Sequence, residues 1–200
     1  MRQAMVLWAT GVSRLKLVAC LLAVCAPVWA ADSSAVLSLQ AVIANKGLGC
    51  EVTLPETTLQ FKPLHSSQLI GAVTTYQIKP LRMQLQCEDE LEAIRPTLTI
   101  EGETPYAEDV EQTVFLSGTP NGVGFMLRQS TDDTPIALSD FYQPTEAIGH
   151  GGQGETLAML DDSNFYHSER VLWVGLVGPF QSPVIPGHFH ASLTLNVAFE

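Results

Sequence analysis

Phe189-His190-Ala191-Ser192-Leu193-Thr194-Leu195-Asn196-Val197-Ala198-Phe199-Glu200 closes the chain. From Leu193 on, apolar residues fall on every second position. Leu193, Leu195, Val197 and Phe199 share one face, and Ser192, Thr194, Asn196 and Ala198 share the other, which is the period of a strand buried on one side. A second stretch alternates in the same way. In Ala35-Val36-Leu37-Ser38-Leu39-Gln40-Ala41-Val42-Ile43, one face carries Ala35, Leu37, Leu39, Ala41 and Ile43. It stands ahead of the first cysteine of the body, and periodicity leaves two readings open: a first strand in the chain's own sheet, or an arm that pairs elsewhere.

Between these ends the pattern stays β-like. Short alternating or apolar runs are separated by Gly, Pro, Asn and Asp, with almost no 3.6-residue apolar period. Strands are expected at 50–54, 75–87, 97–101, 113–116, 122–129, 135–138, 157–160, 171–177 and 188–199. In the second of these, Ile78, Leu81, Met83, Leu85 and Cys87 are expected to face inward, with a bend or bulge near Pro80. Seven to nine short strands suggest a β-sandwich of immunoglobulin-like topology.

The first thirty residues read differently. Arg2, Arg14 and Lys16 precede an apolar run, Leu17 to Val28, that ends in Val28-Trp29-Ala30, with no acid in the segment. This is the pattern of an export signal cleaved after Ala30, and the run is too short for a bilayer span, which takes about 20 residues. Leu17-Val18-Ala19-Cys20 gives a weaker lipoprotein alternative, and Met5 an alternative start. The whole chain has 200 residues, 10 Lys+Arg, 21 Asp+Glu and a net charge of −11. Without the leader's three cations, 7 Lys+Arg face 21 acids, for a net charge of −14 over 170 residues. Such acidity excludes nucleic acid, whose phosphates need a surplus of Lys and Arg. A hydrophobic content of 46% excludes disorder. Cys20 and Cys25 leave with the leader, so an exported chain keeps Cys50 and Cys87. One disulfide is the expected state there, two unpaired thiols the alternative.

No motif supports catalysis. Gly149-His150-Gly151-Gly152-Gln153-Gly154 matches the dinucleotide fingerprint in letters but lacks the βαβ context that gives it meaning, and reads as a loop. No G-x-S-x-G turn accompanies His150 as a hydrolase would require. His188 and His190 share a strand face, with His150 or His167 as possible third ligands. They read as exposed histidines rather than a metal site. Glu101, Glu103, Asp132 and Asp133 could be paired on paper as glycosidase acids, but carboxylate separation is not readable from sequence. Trp173 and Phe125 are expected in the core. The chain is therefore expected to be no enzyme and to hold no cofactor or metal.

Several of these features together resemble the subunits of chaperone–usher fimbriae, the type 1-like pilin domain family. They are the leader, the Leu37-Ser38-Leu39-Gln40-Ala41 arm, and Cys50 with Cys87 37 residues on at the end of a long strand. Gly187, fourteenth from the end, and the penultimate Phe199 complete the set. The resemblance covers 31–200, with one departure: Ala41 stands where the family usually has Gly. It implies an immunoglobulin-like sandwich lacking its last strand, completed by a donor strand from another chain. Residues 1–30 would be the signal peptide, 31–43 the donor arm and 44–200 the pilin domain. Leu37, Leu39, Ala41 and Ile43 would be the arm's plugs. Gly187, Leu193, Leu195, Val197, Phe199 and Glu200 would form the edge used by a periplasmic chaperone and then by a donor arm. The partners implied are that chaperone, an outer-membrane usher and neighbouring subunits of a cell-surface fimbria that contributes to adhesion. No host receptor is indicated.

Overall fold

The computed structural model describes residues 33–43, 49–88 and 92–199. The expected leader and Glu200 lie outside them. Strands in chain order are β1 (Ser33–Ile43), β2 (Cys50–Thr53), β3 (Thr58–Leu64), β4 (Thr74–Cys87), β5 (Pro96–Glu101), β6 (Gly124–Gln129), β7 (Glu155–Thr156), β8 (His167–Gly178) and β9 (Phe189–Phe199), with one short helix, α1 (Leu138–Phe141). They form a five-stranded sheet, β3-β1-β9-β5-β7, and a four-stranded sheet, β2-β4-β8-β6. Inward residues of both sheets make one core, including Leu37, Leu59, Phe61, Leu85, Leu98, Phe125, Leu172 and Val197. This is the sandwich that the alternation predicts.

Cys50 and Cys87 are opposite one another in the β2–β4 register and are disulfide-bonded. The bond closes a loop with a sequence separation of 37. A Cys50→Ser, Cys87→Ser chain is expected to lose about 2–5 kcal/mol of stability. Chemical denaturation of the oxidised parent and the variant checks this, and equal midpoints would contradict it.

The outer face of the four-stranded sheet carries a second layer. Phe141 of α1 is fully buried on it, with Tyr106, Val114, Leu116, Met126 and Val177. Arg128, 6% exposed on β6, holds this layer down. It donates to the carbonyls of Asp140 (2.6 Å) and Phe141 (2.9 Å) and pairs with Glu146. The Tyr106 hydroxyl donates to the Val123 carbonyl and accepts from the Gly122 amide, although burial still raises its pKa.

Four details correct the sequence expectations. Residues 135–138 form no strand but lead into α1 across the sheet face. Within 113–116 only Phe115 pairs, in a single bridge to Phe125. The irregularity in β4 falls between Thr75 and Gln77, and Pro80 keeps register with Trp173. The proline is tolerated because β2 pairs only with Gln84–Cys87, leaving the other side of β4 open at Pro80. Ile78 consequently packs in the outer layer, whereas Leu81, Met83, Leu85 and Cys87 are buried in the sandwich core. Strand β3 was not expected. Its Leu59 and Phe61 alternate with Thr58, Gln60 and Lys62, but Pro55 and Pro63 bracket the run and hide it.

Candidate functional site

The feature that sets this sandwich apart is how β1 is held. It lies between β9 and β3, bonded to both. With β9 it runs parallel, from Ala35 opposite Phe189 to Ile43 opposite Val197. With β3 it runs antiparallel, from Ser33 opposite Leu64 to Ser38 opposite Thr58, and the Leu39 amide adds a 2.8 Å bond to the Thr57 carbonyl. Strand-to-strand spacing is about 4.8 Å, so without β1 the edges of β9 and β3 would face each other across roughly 10 Å. That gap opens onto apolar side chains, an arrangement prone to aggregation.

The walls and floor follow from the alternation of the final strand. Ala191, Leu193, Leu195, Val197 and Phe199 are all buried, each 2% exposed or less. Phe199 is opposite Pro96 of β5. Leu59 and Phe61 bury themselves beside the arm on β3. Gly187 stands just ahead of β9 with φ +152°, a conformation that L side chains rarely adopt, so glycine suits the entry to this strand. The arm fills the gap with Ala35, Leu37 and Leu39, at 2%, 0% and 6% exposure. Ala41 is only half-buried and Val42 is 37% exposed. Of Ile43 only the backbone position is described. Three of the four expected plugs thus take different depths here: Leu37 and Leu39 are sealed, Ala41 is partly open, and Ala35 is a buried position beyond the expected set.

The parallel direction has a simple cause. Only residues 44–49 join Ile43 to Cys50, whose strand is in the other sheet. Seven Cα steps reach about 24 Å. Reversing the arm would move Ile43 by eight strand residues, about 26 Å, with a further ~10 Å between sheets. The chain's own arm therefore cannot enter the groove antiparallel to β9. An arm from another chain carries no such tether.

The other candidates from the sequence are not gathered into a site. The His150 Nδ1 accepts from the Gly102 amide at 3.2 Å, which makes it a loop anchor. Among the described residues, no three His, Cys, Asp or Glu side chains are placed to hold a metal. Phe125 is fully buried as expected. Trp173 is not: its ring is half-buried on the outer face, with its indole N–H donating to the Ser130 hydroxyl at 3.1 Å. Trp173 lies in the apolar run 171–177, but it falls between the inward residues Leu172 and Val174 and so takes the opposite face of the strand.

Residues 37–200 match the family model described as fimbrial protein. Among curated protein sequences none matches. Among solved structures, the crystal structure of the P pilus rod subunit PapA is similar, with a TM-score of 0.54 and 14% sequence identity over 76% of this chain and 99% of that one. At that identity the likeness speaks for the fold.

Proposed function

The chain belongs to the fimbrial protein family and is a non-enzymatic structural subunit of a cell-surface pilus, and from that premise we propose that its N-terminal arm is donated to the groove of a neighbouring subunit. Leu37, Leu39, Ala41 and Ile43 are the side chains it would insert. The groove between β3 and β9 would receive them. Strand addition of this kind joins main-chain hydrogen bonds to side-chain pockets. Burying about four aliphatic side chains at 1.5–3 kcal/mol each gives roughly 6–12 kcal/mol before ordering costs. The observation that carries the proposal is the position of β1: a single strand between β3 and β9, ahead of the disulfide-bonded body, covers an apolar groove.

The same gap calls for a guardian before assembly. In this reading the leader 1–30 directs export to the periplasm, where a chaperone strand pairs along β9 from Gly187 to Phe199 and the Glu200 carboxylate meets chaperone cations. An outer-membrane usher then releases the subunit into the fibre, which contributes to adhesion. Deleting residues 31–43 is expected to leave the chaperone complex intact and to stop incorporation through the arm. A truncated chain that still polymerises normally would sink the donor role. Phe199→Asp places a charge on a side chain only 1% exposed, and is expected to lower periplasmic levels several-fold. Immunoblots of periplasmic extracts check this, and unchanged accumulation would contradict it.

The parallel pairing of β1 with β9 within one chain favours a second reading, a self-complete sandwich that needs no donor. The two differ in behaviour. A self-complete module is a stable monomer without a chaperone, whereas a donor subunit yields polymers.

A further inference from the structure

Outside the arm and groove, two features of the surface fit one another. The first is an exposed aromatic. Phe165 is 87% exposed, at the tip of the turn before β8. It has φ +55° and Tyr166 has φ +53°, consecutive left-handed positions that bulky residues avoid. The turn is nevertheless tightly built. The Ser163 hydroxyl and amide both donate to the Asp161 carboxylate, the Asp161 amide donates to the Asn164 side chain, and the Cys87 amide donates to the Tyr166 carbonyl. The Ser163 bonds hold the Asp161 carboxyl below its usual pKa, so it stays charged. Asp162 and Glu88 are exposed beside it. A rigid turn thus presents an aromatic ring amid negative charge.

The second feature is a cleft of about 460 Å³ on the outer face of β4 and β8, with more apolar than polar surface. Tyr76, Ile136, Leu138 and Trp173 line it, and Lys62 and Lys79 stand at its margin. Leu138 is 50% exposed there. Among the described residues Arg82, Arg128 and Arg170 each have a carboxylate partner, whereas neither lysine has one. The Lys79 ammonium lies over the Phe61 ring, 5.7 Å from its centroid, so in a chain with 21 acids and 10 Lys+Arg it is Lys62 at the margin of this apolar cleft that is complementary to an acidic, apolar knob.

We propose that Phe165 of one copy of this chain docks in the Trp173 cleft of another copy, with Asp162 facing Lys62. The chain cannot fill its own cleft, because Phe165 lies before the start of β8 at His167, which is six strand residues, about 20 Å, from Trp173. Knob and cleft are different surfaces, so the contact is heterologous and repeats from copy to copy. It is small, hence weak for an isolated pair, and gains strength when the copies are already joined in a series. It does not depend on arm exchange.

Sedimentation velocity on the purified folded chain, from about 10 µM to 1 mM, tests it. The parent chain is expected to self-associate within that range. Phe165→Asn removes the ring while suiting the left-handed backbone, so folding is preserved, and association is expected to weaken about tenfold or more. Lys62→Glu and Asp162→Lys are each expected to weaken association, and mixing the two variant chains to restore it. A parent chain that stays monomeric to 1 mM, or a Phe165→Asn chain that associates like the parent, would overturn the proposal. Arm exchange is read separately, as bands that resist SDS, so failure of one contact leaves the other measurable.

Discussion

A chain carrying Leu37→Asp and Leu39→Asp is expected to lose the completing strand both within itself and as a donor. Both leucines are sealed in the core, at 0% and 6% exposure. Each forfeits about 1.5–3 kcal/mol of burial, and a carboxylate in the same place adds a desolvation penalty. The loss, roughly 3–6 kcal/mol before that penalty, is comparable with the whole stability of many domains. The isolated variant should therefore melt at a markedly lower temperature and aggregate through the bared β9 and β3 edges. In surface fibres it should be absent as a donor. A synthetic peptide of residues 31–45 distinguishes a vacant groove from general misfolding, because it is expected to restore the melting temperature. Unchanged stability, or failure of the peptide to raise it, would contradict the assignment of the arm.

Gly175→Leu is expected to be nearly as damaging for a reason unrelated to the arm. A Cβ at Gly175 would lie 2.1 Å from Cε1 and 2.6 Å from Cδ1 of Phe141. The ring has little room to retreat, since Phe141 is fully buried and Arg128 grips the carbonyls of Asp140 and Phe141. Overpacking of this kind, with displacement of a buried aromatic, costs about 3 kcal/mol or more. Denaturant unfolding measures it, and a change under about 0.5 kcal/mol would show that the outer layer is not packed as described. Combining Gly175→Leu with Phe141→Ala should cost less than the two separate losses, because the second change removes the clash of the first.

The ends of the chain were the most legible part of it. Alternation at Leu193, Leu195, Val197 and Phe199 translates directly into burial, because one face of a strand meets the core and the other meets solvent. The same rule reads Ala35, Leu37 and Leu39 correctly, but it cannot say which neighbour a strand will take. Pairing β1 between β9 and β3 depends on β3, and there Pro55 and Pro63 obscured a two-residue apolar signal. In β4 the expected bulge near Pro80 is what misleads: the register runs unbroken from Gln77 to Gln86, so Ile78 takes the face opposite Leu81 and Met83 and points outward. The outer layer was illegible for a different reason. Phe141 reaches its place through the absence of a side chain at Gly175, and an absence leaves no periodic trace.

The direction of the arm ties these observations to assembly. Within one chain, residues 44–49 confine it to the parallel course along β9, and parallel pairing is slightly less stable per residue than antiparallel. A neighbour's arm is free to take either course, so exchange between chains has a physical route to a more stable product. In the proposed assembly this exchange joins subunits in the fibre. Sheared surface fibres, run in SDS without boiling and probed for this chain, test it most directly. A ladder of multiples that collapses to a single band on boiling is expected. A single monomer band in the unboiled lane, from fibres shown to contain the chain, would contradict it.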